Sequence, residues 1–235
     1  MPLRSTPSPS ALGLGLALTT LAAAAFPARA AHRSLAGPDI LVAGCRDHQR
    51  PAATLWKNGR ATPLTGPRMV RVLAMAVSGP DVYAAGTESN GQVNVAMVWK
   101  NGVPLPPLSD GRRNAEAEAV VVAGGAVLTA GFESAGAPAL DSTGNPAAYL
   151  PVATLWRDGS PVRLSDGSRF AMAHALAVDG TTVYVAGEES RSGGMDDEAA
   201  FATVWRVDPS GPVPTRLTDG SAPASAAAIC LAGPR

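Results

Sequence analysis

The feature of the sequence that most constrains its fold is a repeat centred on tryptophan. The related segments ATLWKNG, AMVWKNG, ATLWRDG and ATVWRVD contain all four tryptophans of the chain, which are Trp56, Trp99, Trp156 and Trp205. They are spaced 43 to 57 residues apart, a period typical of stacked or ring-forming repeats. Because an aromatic side chain in every repeat can fill the gap between neighbouring units, we predict that all four are structural core.

Each repeat predicts four short strands. An alanine-rich segment such as AHALAV comes first, a segment such as TVYVAG second, the Trp segment third and a segment ending in LTDG or LSDG fourth. β-Branched and aromatic residues bounded by Gly and Asx-Gly indicate strands joined by tight turns. Four strands in repeats of this length are typical of propeller blades, so the predicted fold is an all-β, four-bladed β-propeller with four-stranded blades.

The pattern also predicts how the ring closes. Residues 39–44 match a second strand that lacks a first, and residues 226–233 match a first strand that lacks a second. Pairing these N- and C-terminal strands would complete the fourth blade and remove two open sheet edges. The predicted propeller spans residues 39–235 as a monomer, preceded by a short segment, 31–38. An open β-solenoid and an arc that completes its ring by dimerising are the alternatives.

Residues 1–30 differ in composition from the repeats. Arg4, an apolar run over 11–25 and the small residues of Ala28-Arg29-Ala30 match the three parts of a secretory signal peptide. We therefore expect a secreted or periplasmic protein with no membrane span after cleavage. The 19 basic and 19 acidic residues balance, which argues against a nucleic-acid partner.

The motifs VYVAG-x-E, ATxWKNG and LTDG resemble repeats of largely uncharacterised, exported bacterial β-propellers, some of which are described as kelch or galactose-oxidase-like. The resemblance covers residues 39–233. It departs from true kelch repeats, because the paired glycines and the Tyr-to-Trp spacing of that family are missing. The resemblance implies a fold and an exported location and implies no activity.

The inner, alanine-rich strands carry the first candidate ligand-binding site. Strict alternation places Val72, Ala74 and Ala76 on one face, and the equivalent small residues of the other repeats with them. The opposite parity contains four charged or titratable residues at equivalent positions near the predicted channel mouth, which are Arg71, Glu116, Glu118 and His174. These residues could bind a ligand or pair with each other at a solvated surface.

Loops that follow the second and the fourth strands are expected on one face of the molecule. This face would carry Arg68, Arg112, Arg113, Asn114, Arg169 and Phe170, together with inserts at 134–150 and 190–200. We include Arg113 and Arg169 in the candidate ligand site, since function in repeat scaffolds concentrates on variable loops. The acidic run at 195–198 lacks the spaced ligands of a calcium loop. No metal or other cofactor is predicted.

Two further sets of residues recur in the sequence. Glu88, Glu133 and Glu189 lie two residues after the second-strand glycine in three repeats. This recurrence predicts a structural role, such as accepting hydrogen bonds from turn amides or pairing with a neighbouring basic residue. Cys45 and Cys230 are the only cysteines, and a disulfide between them is open, because an exported protein favours it and the predicted strand register opposes it.

These observations favour a binding or scaffold module for a protein or a glycan. The alternatives are an enzyme, for example a hydrolase or lyase acting on a saccharide at the channel mouth, and a purely structural module of the cell envelope. Motifs of serine hydrolases, zinc hydrolases and nucleotide-binding proteins are absent from the sequence.

Overall fold

The structure is a computed structural model that describes residues 38–46, 52–64, 70–135, 150–191 and 200–233. These residues form strands and contain no helix. The strands are β1 (Leu41–Arg46), β2 (Ala52–Lys57), β3 (Arg60–Pro63), β4 (Val70–Ser78), β5 (Asp81–Ser89), β6 (Asn94–Lys100), β7 (Val103–Pro104), β8 (Ala115–Ala123), β9 (Ala126–Ala135), β10 (Leu150–Arg157), β11 (Ser160–Arg163), β12 (Ala171–Asp179), β13 (Thr182–Ser190), β14 (Ala200–Asp208) and β15 (Gly211–Arg216).

The strands form four antiparallel sheets in chain order. The first sheet has three strands, β1–β3, and the second, third and fourth sheets have four strands each, β4–β7, β8–β11 and β12–β15. Within each sheet, neighbours in sequence are neighbours in space. The all-β class and the order of inner, second, Trp and outer strands in the second to fourth sheets are therefore confirmed.

The Trp-K/R-Asx-Gly motif forms a two-residue turn between the third and the outer strand. Asn58, Asn101 and Asp158 have positive φ angles of 50°, 53° and 49°, and each is followed by a glycine with φ near 80°. This conformation is a type I′ turn, whose twist matches that of a hairpin. The side-chain oxygen of each Asx accepts a hydrogen bond from the second strand, as in Val82 N to Asn101 Oδ1 at 2.9 Å, so the motif also ties three strands together.

The connections at the two ends of the strands differ. At one end of the strands, here called the hairpin edge, all seven turns contain two residues. At the opposite edge, here called the loop edge, the second and third strands are joined by 5, 4, 14 and 9 residues in the four successive sheets. Asn90 Nδ2 donates to Gly111 O at 2.7 Å, which places the second-to-third and outer-to-inner connections on the same edge.

The core lies between consecutive sheets. Three hydrophobic clusters join the first sheet to the second, the second to the third and the third to the fourth. Each cluster contains the tryptophan of its later sheet, and Trp99, Trp156 and Trp205 are 0, 0 and 1% exposed. The prediction that these three are core is confirmed. Trp56, in the first sheet, is only partly buried.

A β-bulge in the inner strands corrects the predicted side-chain alternation. The bulged residues are Leu73, Glu118 and His174. An extra residue reverses the faces to which the flanking side chains point. Val72 therefore packs toward the first sheet, whereas Ala74 and Ala76 pack toward the third. The prediction that these three share a face is wrong.

Glycines in the second strands make room for the bulges. A Cβ atom on Gly86, Gly131 or Gly187 would lie 1.8 to 1.9 Å from an inner-strand carbonyl oxygen. Real Cβ atoms do not approach backbone this closely, so the glycine of the AG motif, which lies within the second strand, is a requirement of the bulged inner strand.

The segment 224–232, which contains most of the first strand predicted at 226–233, forms no strand. Among the described residues β1 pairs only with β2, and the predicted pairing of β1 with this segment is not formed. The segment instead follows the fourth sheet, with hydrogen bonds from Ala224 N to Ala200 O at 3.0 Å and from Ala226 N to Gly187 O at 3.1 Å.

Several further predictions concern other parts of the chain. Cys45 and Cys230 are both exposed and free. The predicted signal peptide lies outside the described residues, as does Arg68. Within the described part of the chain, no helix has the length and apolar character needed to cross a membrane.

Candidate functional site

Charged pairs link neighbouring inner strands. Arg71 Nη1 on β4 lies 3.7 Å from Glu116 Oε1 on β8. His174 Nδ1 on β12 lies 2.7 Å from Glu118 Oε2 on β8. The structure thus brings together the four inner-strand residues predicted from sequence as two pairs, each joining equivalent positions of consecutive sheets.

The bulge explains why Glu118 and His174 meet. Each is the bulged residue of its inner strand, without a partner in the pairing with the second strand. The two side chains therefore lie at the same position along neighbouring sheets. Bulges of this kind re-aim a side chain relative to its neighbours. The equivalent residue of the second sheet is Leu73, which is 38% exposed, so the second sheet presents an apolar side chain where the third and fourth present charges.

His174 lies between two carboxylates. Besides Glu118, its Nε2 atom is 3.8 Å from Glu188 Oε1 on β13. Hydrogen bonding to Glu118, then to Glu188, raises the pKa of His174 to about 9, against the opposing effect of burial. The pKa of Glu188 is lowered, mainly by its hydrogen bond to His174. At neutral pH the imidazole is therefore charged and the cluster is an ion-pair network.

Sequence reasoning missed two members of this network. Glu188 follows the second-strand glycine directly, where the first, second and third sheets have Cys45, Thr87 and Phe132. It also hydrogen-bonds Ser225. Asn94 on β6 donates from Nδ2 to Glu116 Oε1 at 3.3 Å. Glu188 could have been found from the sequence, because it differs in type from the equivalent residues of the other repeats. The recurring glutamate at the next position, Glu189, obscured this difference.

The loop-edge arginines form a separate group. Arg112 is 4.0 Å from Asp110, and its side chain is 86% exposed. The positive charge of Arg113 acts on Glu133, and that of Arg169 acts on Asp166. Arg113 and Arg169 thus interact with acidic residues of the loop edge. Residues 136–149 and 192–199, which include most of the predicted inserts, lie outside the described residues.

One of the three recurring glutamates, Glu189, pairs with a basic residue as predicted. Glu189 Oε2 is 3.1 Å from Arg216 Nη2 on the outer strand of the same sheet. Burial is the main cause that raises the pKa of Glu133, followed by the nearby charge of Asp110, while Arg163 and Arg113 act in the opposite direction. Pairing with a basic residue is confirmed for Glu189.

Three clefts lie away from the His174–Glu118 and Arg71–Glu116 pairs. Two clefts of about 450 and 540 Å³ open at the hairpin edge between consecutive sheets. A third, of about 240 Å³, lies at the loop edge beside Asn90 and Asp110. Over the described residues, no group of three or more His, Cys, Asp or Glu side chains is arranged to hold a metal ion.

No protein-family model matches the sequence, and no curated protein is similar to it. Among solved structures, the chain is similar to the computationally designed Ika8 protein, with a TM-score of 0.42 and 17% sequence identity over 84% of this chain and 51% of that chain. The chain therefore spans about half the length of this solved chain.

Proposed function

We propose that the four sheets are blades of a β-propeller, exported from a bacterial cell, that binds a protein or a glycan through its loop edge and catalyses no reaction. The observation that carries the proposal is the contrast between the two edges: seven turns of two residues at one, and connections of 4 to 14 residues at the other. Variation confined to one edge of a repeated framework is typical of a recognition surface.

The inner-strand network supports a role without catalysis. A general acid or base works best when its pKa lies near the working pH and it has a free atom for substrate. His174 has a pKa of about 9, and its two ring nitrogens face Glu118 and Glu188. The residues that a saccharide hydrolase or lyase would need are thus engaged with one another.

Two arginines at the loop edge support the choice of surface. Arg112 is highly exposed, and Arg169 is half-buried on the connection that leads into β12. Arginine presents several N–H donors in a fixed geometry, which suits carboxylates of proteins and of acidic glycans.

The test is binding of the purified protein to an array of immobilised glycans and cell-surface proteins. We expect binding to at least one ligand class, weakened about tenfold or more by the double variant Arg112→Glu and Arg169→Glu, because each change reverses a charge that faces the ligand. Arg60→Glu, an exposed arginine at the hairpin edge, is the matched control and should leave binding unchanged.

Two outcomes contradict the proposal. The absence of binding to every ligand would remove the recognition role. Release of shortened or unsaturated sugars, abolished by Glu118→Gln, would establish the enzyme alternative instead.

A further inference from the structure

The first sheet has a face that no described sheet covers. Val42 and Ile40 on this face are 51 and 49% exposed. The positions equivalent to Val42 are Ala84, Thr129 and Val185, which are 2, 1 and 0% exposed. The positions equivalent to Ile40 in the second and fourth sheets, Val82 and Val183, are 9 and 0% exposed. Trp56 belongs to this same face, since it pairs with Val42, and it is the one tryptophan that is only partly buried.

The fourth sheet has the complementary uncovered face. Tyr184 and Val204 are partly exposed there. Their equivalents in the second sheet, Tyr83 and Val98, are 7 and 1% exposed and pack in the cluster that contains Trp156. The fourth sheet therefore presents the kind of surface that elsewhere covers a tryptophan, and the first sheet presents a tryptophan without that cover.

Gly44 indicates a missing inner strand on β1. It occupies the position of Gly86, Gly131 and Gly187, each of which is required by an inner-strand carbonyl within 1.9 Å of a Cβ. A Cβ on Gly44 would meet only Trp56, at an ordinary 3.6 Å. Nothing in the described first sheet requires glycine here, whereas an added bulged strand would.

The segment 224–232 has the features of that strand and lacks a strand partner. It carries the same spacing from Gly220 that the other inner strands have from their preceding glycines. Its start contacts the fourth sheet through Ser225 and Glu188, much as Glu116 contacts Asn94 of its preceding sheet. Leu231 is 45% exposed.

We propose that a second copy of this chain completes the first sheet, with residues 224–232 of each copy added to β1 of the other and the fourth-sheet face packed on Trp56. This inference rests on the proposal that the sheets are propeller blades. To cover both faces within one chain, the sheets would have to change their packing at the three hydrophobic clusters that join consecutive sheets. Their cluster residues are 0 to 9% exposed, and close-packed interiors resist such changes. A two-fold pair covers both faces without altering them.

The other sheets specify the register of the added strand. By equivalence with β4 on β5, Ala226 pairs with Gly44, Ala228 with Ala43 and Leu231 with Ile40. Cys45 then lies opposite Ser225 and Cys230 lies opposite Leu41. The two cysteines are therefore about 13 Å apart along the strand. This distance exceeds the reach of a disulfide, so the pair of copies persists in reducing agent.

The test is sedimentation velocity of the purified full chain across a concentration series, with and without reducing agent. We expect a species of twice the mass of the single chain, which is 23.7 kDa with residues 1–30 retained. Val42→Asp should weaken association by about 100-fold or more, because it buries a charge in the interface. Val103→Asp is the matched control, since Val103 is 64% exposed on β7, and it should change association less than about twofold.

A second variant acts on the other partner surface. Ala228→Pro removes the N–H that strand addition needs and leaves the described sheets intact, so circular dichroism stays unchanged while the pair dissociates. A monomer at every concentration, a larger assembly, or a pair that resists both variants would overturn the proposal. A stable pair that binds no glycan or protein would refute the binding role alone, and a ligand-binding monomer would refute the pairing alone.

Discussion

The first and second sheets use the same sequence pattern, and they differ in what lies beside them. Both have an Asx-Gly turn whose asparagine caps the second strand, with Ile40 N to Asn58 Oδ1 and Val82 N to Asn101 Oδ1 at 2.9 Å each. Both have a lysine paired with the aspartate that precedes or begins the second strand. Yet Trp99 is fully buried and Trp56 is not. Local contacts are thus set by the repeat, and burial is set by the neighbouring sheet.

The largest effect that tests this comparison is the loss of a tryptophan. Trp156→Ala should lower the free energy of unfolding by about 4 kcal/mol, because a fully buried aromatic leaves a cavity. In the monomer, Trp56→Ala should lower the free energy of unfolding by roughly half as much, since the ring of Trp56 is already partly hydrated. Urea unfolding at low protein concentration measures both. Equal losses would show that the first sheet is as well covered as the third.

A smaller effect is expected from the second-strand glycines. Gly131→Ala should cost about 2 to 3 kcal/mol, because its Cβ would lie 1.9 Å from Glu116 O and the bulged strand must move. Gly44→Ala should change stability by less than about 1 kcal/mol in separated chains, and the alanine fits there without strain. Thermal unfolding of both variants gives the difference. A costly Gly44→Ala in a monomer would mean that an inner strand of the same chain covers β1.

The smallest effect concerns His174, whose equivalent in the second sheet is the apolar Leu73. Its pKa is raised from 6.5 to about 9 in the folded protein. The stabilisation from this group is therefore complete below about pH 6.5 and is lost as the pH rises through 9. Partial exposure limits it to less than about 1 kcal/mol. The stability difference between the unaltered protein and His174→Gln, measured by urea unfolding from pH 6 to 10, should shrink with pH. A constant difference would contradict the ion pair.

Much of the fold could be predicted because each strand is encoded locally. The glycine and Asx positions fix the turns, and the apolar content fixes the strands between them. The prediction from side-chain alternation was wrong at Leu73, Glu118 and His174, because each is a β-bulge. A bulge depends on how two strands pair, so it is not visible in the alternation of a single strand. It was Gly86 and its equivalents that carried the signal.

The candidate site was predicted in part for the same reason. Arg71, Glu116, Glu118 and His174 lie at equivalent repeat positions, and the repeat brings equivalent positions together. Glu188 comes from a different strand, and its contact with His174 depends on the bulge. Likewise, the sequence of 224–232 predicts a strand, but the segment forms none in the described chain. Complementary faces in a repeat do not specify whether they meet within one chain, so the sequence could not identify a partner for it.

The bulge has a consequence for how the molecule opens. Because it reverses the side chains midway, β4 anchors Val70 and Val72 in one cluster and Ala74 and Ala76 in the next. Detaching this strand would therefore hydrate two cores at once. Amide hydrogens of the inner strands should exchange with solvent only in large, concerted fluctuations, whereas those of the short edge strands β3, β7 and β11 should exchange independently.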